Sequence, residues 1–251
     1  MAGANPESRW FGFRPVDESE KTNLVRGVFS SVASRYDLMN DLMSCGLHRL
    51  WKDLFVRRMN PKKGQSFLDV AGGTGDIAQR IYRKTKGKAN ITVCDINPAM
   101  LEQGKAKALD HGIVNGIDWV EGNAEALPFA DRTMDRYSIV FGLRNVTHID
   151  TALRDAYRVL KPGGKFFCME FSSGTSPLLK PFYEAYCLNI MPFLGDLVAQ
   201  DREAYQYLAE SIIRFPDQKT LANRMEKAGF STIAWTDLMG GVAVIHEGFR
   251  L

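Results

Sequence analysis

This 251-residue sequence is poor in the features that mark several functional classes. Its four cysteines, Cys45, Cys94, Cys168 and Cys187, lie far apart and form no C-x-x-C. Neither a zinc site nor a disulfide framework is therefore expected, and a reducing compartment is the simplest reading. The formal charge is only +3, from 32 basic and 29 acidic residues, too mild and too scattered to suggest nucleic acid as a partner. Residues 1–20 are polar and lack the apolar core of a signal peptide. The longest apolar-rich stretch, residues 185–199, is interrupted by Asn189, Pro192, Gly195 and Asp196, which argues against a bilayer span. No Walker loop, metal-ligand cluster or Ser-His-Asp order is present, so ATPase and hydrolase readings have little support. No metal is expected, and no internal repeat is seen.

What is present is Leu68-Asp69-Val70-Ala71-Gly72-Gly73-Thr74-Gly75-Asp76, a short apolar run that ends in a glycine turn flanked by two aspartates. Such a turn lets backbone approach a ligand closely, and Asp95, closing the next apolar run, completes the nucleotide-binding start of a doubly wound α/β fold. Gly73-x-Gly75-x-x-Ala78 fits the loose dinucleotide fingerprint, so a nicotinamide dehydrogenase is the competing reading. Charge separates the two: a pyrophosphate would meet Asp69 and Asp76, whereas S-adenosyl-L-methionine has no phosphate and carries a sulfonium and an ammonium group. In this reading Asp69 and the backbone of Gly72, Gly73, Thr74 and Gly75 hold the methionine end, and Asp95 accepts both ribose hydroxyls. Turn and helix-cap aspartates would account for any one of these taken alone.

Residues 1–20 read as an extended arm, and residues 21–251 as one domain. Within it, residues 21–60 have helical periodicity and form a cap, residues 64–175 a cofactor-binding core, residues 176–215 a helical insertion, and residues 216–251 a last helix and strand pair. Strands are predicted over Ser66–Val70, Asn90–Asp95, 118–121, 135–141, 165–170, 232–236 and 241–246, and helices over 76–84, Pro98–Asp110, 151–160 and 219–228. The alternation implies a mostly parallel sheet. The last two strands are a short turn apart and so must pair antiparallel, which favours the methyltransferase variant of the architecture.

At the carboxyl end of the third core strand, Asn123 and Ala124 are placed to meet an adenine ring. After the fourth, Phe141-Gly142-Leu143-Arg144-Asn145-Val146 puts Arg144 and Asn145 at the rim where substrates bind. Such a pair can favour the anion of a phenol or enol oxygen, as carbon methylation of a ring requires. Arginine stays charged and is a poor base. Near the N-terminus, Tyr36, Asp37, Asn40, His48 and Arg49 are the polar candidates for a pocket among core residues such as Leu38, Leu50 and Trp51.

These segments carry a family resemblance. Val32-Ala33-Ser34-Arg35-Tyr36-Asp37-Leu38-Met39-Asn40-Asp41, the Leu68 to Asp76 turn, Phe141-Gly142-Leu143-Arg144-Asn145-Val146-Thr147 and Tyr157-Arg158-Val159-Leu160-Lys161-Pro162-Gly163-Gly164 resemble the ubiquinone and menaquinone biosynthesis C-methyltransferases over nearly the whole chain. The resemblance implies a class I methyltransferase fold: a seven-stranded Rossmann-like sheet with its last strand antiparallel. It also implies S-adenosyl-L-methionine as cofactor, held at Thr74, Asp95, Asn123 and Ala124, with Tyr36 in the cofactor set. Val140 stands where some relatives have a serine, so any contact there is through backbone or absent. The implied acceptor is a polyprenyl benzoquinol or demethylmenaquinol, with Arg144 and Asn145 as the catalytic pair. A peripheral membrane contact through the apolar insertion, and a homodimer or a quinone-biosynthetic complex, are the partners expected. The location expected is the cytoplasm near the inner membrane, or the mitochondrial matrix in a eukaryote.

Overall fold

Short runs rich in β-branched and aromatic residues become strands here because both of their faces can be covered. The computed structural model describes residues 10–32, 40, 41, 44, 46–176, 179–199 and 201–251. A two-strand ribbon, β1 (Trp10–Phe11) with β2 (Arg14–Pro15), precedes the helices α1 (Glu18–Val32) and α2 (His48–Met59). Then come β3 (Ser66–Val70), α3 (Asp76–Thr85), β4 (Asn90–Asp95), α4 (Pro98–Asp110), β5 (Ile117–Glu121), β6 (Met134–Val140), α5 (Ile149–Val159) and β7 (Leu160–Phe171). The insertion holds α6 (Lys180–Ala185), α7 (Met191–Leu194) and α8 (Arg202–Arg214), with π-helical turns at Tyr186–Ile190 and Gly195–Ala199. The chain closes with α9 (Gln218–Lys227), β8 (Ser231–Leu238) and β9 (Ala243–Phe249).

The sheet order is β5-β4-β3-β6-β7-β9-β8. All pairs are parallel except those of β9, which runs against both neighbours. The chain steps outward from β3 through β4 to β5, then returns to the other side of β3 as β6, so the strand order reverses at β3. In open parallel sheets ligands bind beyond the carboxyl ends of the strands at such a reversal. Successive side chains point to opposite faces. Phe67 and Phe167 pack with Phe55, Ile77 and Ile81 on one side, and Leu68 and Phe166 with Leu153, Leu221 and Met225 on the other.

Two element boundaries differ from those expected. The first helix begins before residue 20, and residues 10–17 ahead of it hold the β1–β2 turn. Gly12 turns at φ +60, Phe13 N–H donates to Glu210 Oε2 at 2.8 Å, Phe11 stacks on Tyr207, and α1 begins at Glu18. The strand expected over 165–170 starts at Leu160, because the Lys161-Pro162-Gly163-Gly164 turn is absorbed as an irregularity in the β6–β7 register.

Candidate cofactor and acceptor site

The turn from β3 into α3 brings three glycines to the strand-reversal point. A Cβ on Gly72 would sit 2.8 Å from Val93 Cγ1 and 2.9 Å from the Asp69 carbonyl oxygen, and one on Gly75 (φ +72) would sit 2.5 Å from the Trp119 ring. These positions admit no side chain without displacing the sheet or the ring beneath them. Asp69, only 1% exposed, accepts from Ser138 Oγ at 2.7 Å through Oδ1, while Oδ2 is buried with no hydrogen-bond partner among the described residues. Burial pushes its carboxyl up to about 7, with the Ser138 hydroxyl and the Ala78 N–H at the start of α3 opposing that rise. Asp95 accepts the Gly73 N–H at 2.8 Å on Oδ2 and the Asn97 N–H at 2.9 Å on Oδ1, and burial raises it too. Each of its oxygens keeps a second acceptor position, as a ribose diol needs.

Asp76 corrects the charge argument. Its carboxylate is taken by Lys52 Nζ at 2.8 Å and Arg80 Nε at 3.2 Å. Burial pushes it up, but these two cations hold it at about 2. Its charge is therefore compensated across the α2–α3 contact, although it still lines the cleft beside the turn. The carboxylates around the turn without a salt-bridge partner among the described residues are Asp69 and Asp95. Lys52 escaped the sequence reading because it sits in a helix among apolar residues, and only packing of α2 onto α3 brings it to the turn.

A pocket of about 780 Å³, counted to its open mouth, lies over Ala71, Gly73, Asp95, Asn123, Ala124 and Phe141. Its roof is α1, through Thr22, Val25, Arg26 and Phe29. The helix is strapped down by Arg26, whose Nη2 and Nε both donate to the Ile96 carbonyl, at 2.7 and 3.1 Å. Asn97 Nδ2 donates to Ser30 Oγ at 3.0 Å, and Lys21 Nζ to the Val146 carbonyl at 3.3 Å. The identity of these roof residues is not legible in the sequence: periodicity marks Val25 and Phe29 as buried without saying what they bury.

The expected site residues divide into groups. Gly73, Asp95, Asn123, Ala124 and Asn145 line the main pocket. Asp69, Gly72, Thr74 and the ion-paired Asp76 line an adjoining cleft with Lys52 and Val140, joined to the pocket at Ala71. Thr74 Oγ1 is buried there with no partner among the described residues. Gly75 caps α3 against Trp119. Asn123 Oδ1 accepts the Glu125 N–H at 3.0 Å, the arrangement of an ordinary turn asparagine, while the residue still lines the pocket. Tyr36 and Asp37 lie outside the described residues. Asn40, His48 and Arg49 do not line the pocket. His48 is buried on Asp41 (2.8 Å), which also pairs with Arg49.

On the acceptor side, β6 ends in a short 3-10 turn, Leu143–Asn145. Phe141 is held at φ +55 and stacks on Phe171 at 4.6 Å. Arg144 is not at the rim where the sequence placed it. It is 6% exposed, its Nη1 donates to Glu170 Oε1 at 2.7 Å and to the Phe141 carbonyl, and its N–H donates to Glu170 Oε2 at 3.3 Å. Burial raises the Glu170 carboxyl, with Arg144 opposing that rise. Asn145 does reach the pocket, and its Oδ1 accepts from the Tyr207 hydroxyl of α8 at 2.9 Å. Neither Glu170 nor Tyr207 was singled out in the sequence.

The orphan acceptor of Asp69, the unpartnered Thr74 hydroxyl and the two-oxygen face of Asp95 suit a ligand with a cationic amino-acid end and a ribose. Residues 16–250 match the ubiE/COQ5 methyltransferase family. The chain is 50% identical over 258 residues to the mitochondrial 2-methoxy-6-polyprenyl-1,4-benzoquinol methylase of Oryza sativa subsp. japonica, covering 96% of this chain and 88% of that one. It is 48% identical over the full length of both chains to the ubiquinone/menaquinone biosynthesis C-methyltransferase UbiE of Cereibacter sphaeroides. Among solved structures, a SAM-dependent methyltransferase of Thermotoga maritima superposes with a TM-score of 0.66 at 18% identity, covering 90% of this chain and all of that one. A phosphoethanolamine N-methyltransferase 2 of Haemonchus contortus in complex with S-adenosyl-L-methionine superposes at 0.61 with 14% identity, covering 80% of this chain and 52% of that one. These two likenesses concern the fold.

Proposed function

The chain belongs to the ubiE/COQ5 methyltransferase family, the S-adenosyl-L-methionine-dependent C-methyltransferases of quinone biosynthesis, and from that membership we propose which of its residues do the work and on what acceptor. Asp95 receives the ribose diol, and Asn123 with Ala124 the adenine. Asp69, Gly72 and Thr74 receive the methionine end, and Asn145 meets the acceptor oxygen. The cofactor, when bound, supplies an electrophilic methyl carbon on a sulfonium. Asp69 matches its α-ammonium because Oδ2 is a buried acceptor with no partner of its own among the described residues. Family membership, with the buried Asp69 Oδ2 beside the glycine turn, favours a cationic methionine end over the pyrophosphate of a nicotinamide cofactor.

The acceptor is the ring of a polyprenyl quinol. With the cofactor bound, a ring carbon would give its electron pair to the methyl carbon as the methyl–sulfur bond breaks and its pair stays on sulfur as a neutral thioether, and the proton on that ring carbon would then leave to solvent. This attack is helped when a ring hydroxyl ionises, so a group that favours the oxyanion lowers the barrier. Alignment of ring and methyl between α1 and the Leu143–Asn145 turn is the protein's other contribution. Arg144 contributes here by fixing that turn, with its charge balanced by Glu170.

No helix of the described residues is long and apolar enough to cross a membrane. A substrate with a long isoprenoid tail must nevertheless be drawn from lipid. Phe182, Phe193 and Leu197 of the insertion are 73%, 59% and 69% exposed, with Ile190 nearby in sequence at 49%. Isolated exposed apolar residues are ordinary, but a run of them on one segment is not, and this insertion is the surface we assign to the bilayer.

The observation that carries the reading is one pocket in which Asp95 and Asn145 both stand at the reversal point of the sheet. The test is an assay with methyl-labelled S-adenosyl-L-methionine and both benzoquinol and naphthoquinol acceptors. Labelled product is expected with at least one; cofactor binding without transfer to either refutes the substrate class.

A further inference from the structure

Asn145 is an amide whose two ends are nearly the same size and opposite in hydrogen-bonding sense: a carbonyl that accepts and an NH2 that donates. Only the NH2 can stabilise an oxygen that is becoming negative. The carbonyl in the same place would repel it. What the pocket offers an ionising ring oxygen therefore depends on which way this one amide is turned.

The surrounding geometry leaves that rotation as the main freedom. The backbone of the turn is held by the Asn145 N–H to the Gly142 carbonyl at 3.1 Å. It is held again by Glu170, which takes both the N–H and the guanidinium of Arg144. Against this fixed turn stands the Tyr207 hydroxyl, 2.9 Å from Asn145 Oδ1. The Tyr207 ring is itself immobilised, 3% exposed and stacked on Phe11 with centroids 4.1 Å apart and planes 11° apart.

We infer that Tyr207 is a positioning residue that donates to the Asn145 carbonyl and thereby turns the Asn145 NH2 toward the reacting ring oxygen. The inference rests on the acceptor reading given above. Burial raises the pKa of the Tyr207 hydroxyl, so it remains a donor throughout the range in which the quinol ionises. The charged groups around the pair are Glu170 and Arg144 at the sheet end, Lys21 on α1 and Arg214 on α8. None of them is altered by removing one phenolic oxygen.

Tyr207→Phe keeps the ring and its stack on Phe11 and deletes only the donor. In the methyl-transfer assay its kcat is expected to fall roughly tenfold, the worth of the Asn145 N–H bond to a developing charge that is lost when the amide is no longer held in place. The affinity for S-adenosyl-L-methionine stays at the parent value. The ascending limb of the kcat–pH profile moves up by about one pH unit, because the quinol loses part of its help in ionising. Asn145→Asp, measured beside it, keeps an acceptor for Tyr207 but offers no donor, and is expected to lose on the order of a hundredfold in kcat. Adding Tyr207→Phe to it costs little more. A Tyr207→Phe enzyme slowed without a pH shift, one at parental rate, or one weakened in cofactor affinity overturns the positioning role. A parent protein that methylates no quinol overturns the acceptor reading instead.

Discussion

Replacing Asp69 by asparagine separates what the buried carboxylate costs the fold from what it contributes to the cofactor. Asp69 holds its proton to about pH 7 in the folded chain, against an ordinary value of 3.8. Between those values the folded chain binds more protons than the unfolded one, so stability falls as the pH rises through that window. Above it, the ionised group costs up to on the order of 4 kcal/mol. Asparagine can keep an oxygen for Ser138 Oγ, which now donates to Asp69 Oδ1 at 2.7 Å, and carries no charge. The ligand-free Asp69→Asn variant is therefore expected to be more stable than the parent at pH 8, and equal to it near pH 4. Each kcal/mol is worth about 2–4 °C in Tm for a chain of this size, so scanning calorimetry across pH reads the difference directly. The cofactor reverses the ranking. If its ammonium needs the ionised carboxylate, parental affinity rises about tenfold between pH 6 and pH 8. A proton is released on binding at the lower pH, visible by titration calorimetry in buffers of different ionisation enthalpy. Asp69→Asn should bind more weakly and without this pH dependence. A parent whose cofactor affinity is flat over that range, or a variant less stable than the parent at pH 8, refutes the reasoning.

Two further outcomes follow from the same geometry. Lys52→Ala leaves Asp76 with only Arg80 and is expected to cost about 3 kcal/mol, the usual scale for halving a buried ion pair. In the parent, the part of the stability owed to Asp76 is present above pH 3.8 and lost as pH falls toward about 2; removing Lys52 brings the folded-state carboxyl closer to its ordinary value, so urea titrations of Lys52→Ala should show a smaller acid loss over that window than the parent. Replacing Phe193 and Leu197 together by aspartate should abolish flotation with phospholipid vesicles while sparing turnover on a short-tailed quinol. Unchanged flotation removes the insertion from the bilayer surface, and a dimer in sedimentation that dissociates in this variant would assign the face to a second copy.

The gathering of the strand-end residues at one pocket was legible because it is local. The glycine turn, Asp95 at the end of the next strand, and the Asn123-Ala124 pair each follow a strand, and a parallel sheet necessarily gathers its strand ends on one edge. Their order along the sequence was enough to bring them together, and Asp95, Asn123, Ala124 and Gly73 do share one pocket. Asp76 was misjudged because a sequence shows a charge without its partner; the lysine that neutralises it is 24 residues away on another helix. Arg144 was misplaced for the same reason, since Glu170 lies on the adjacent strand and draws the guanidinium inward.

Local pattern, then, determined the strand and helix alternation, the glycine turn and the identity of the carboxylate at Asp95, because turn conformation and face alternation depend on near neighbours. Tertiary structure alone decided which charges are compensated and which are not: among the described residues Asp69 keeps one oxygen without a hydrogen bond, Asp76 is paired with Lys52, Arg144 is balanced by Glu170, and Asn145 accepts from Tyr207. Those pairings span from 24 to 69 residues of sequence, and no local rule could have chosen among the candidates. They form because burying a polar group without a partner is costly, and a chain can find that partner only where packing brings distant segments into contact.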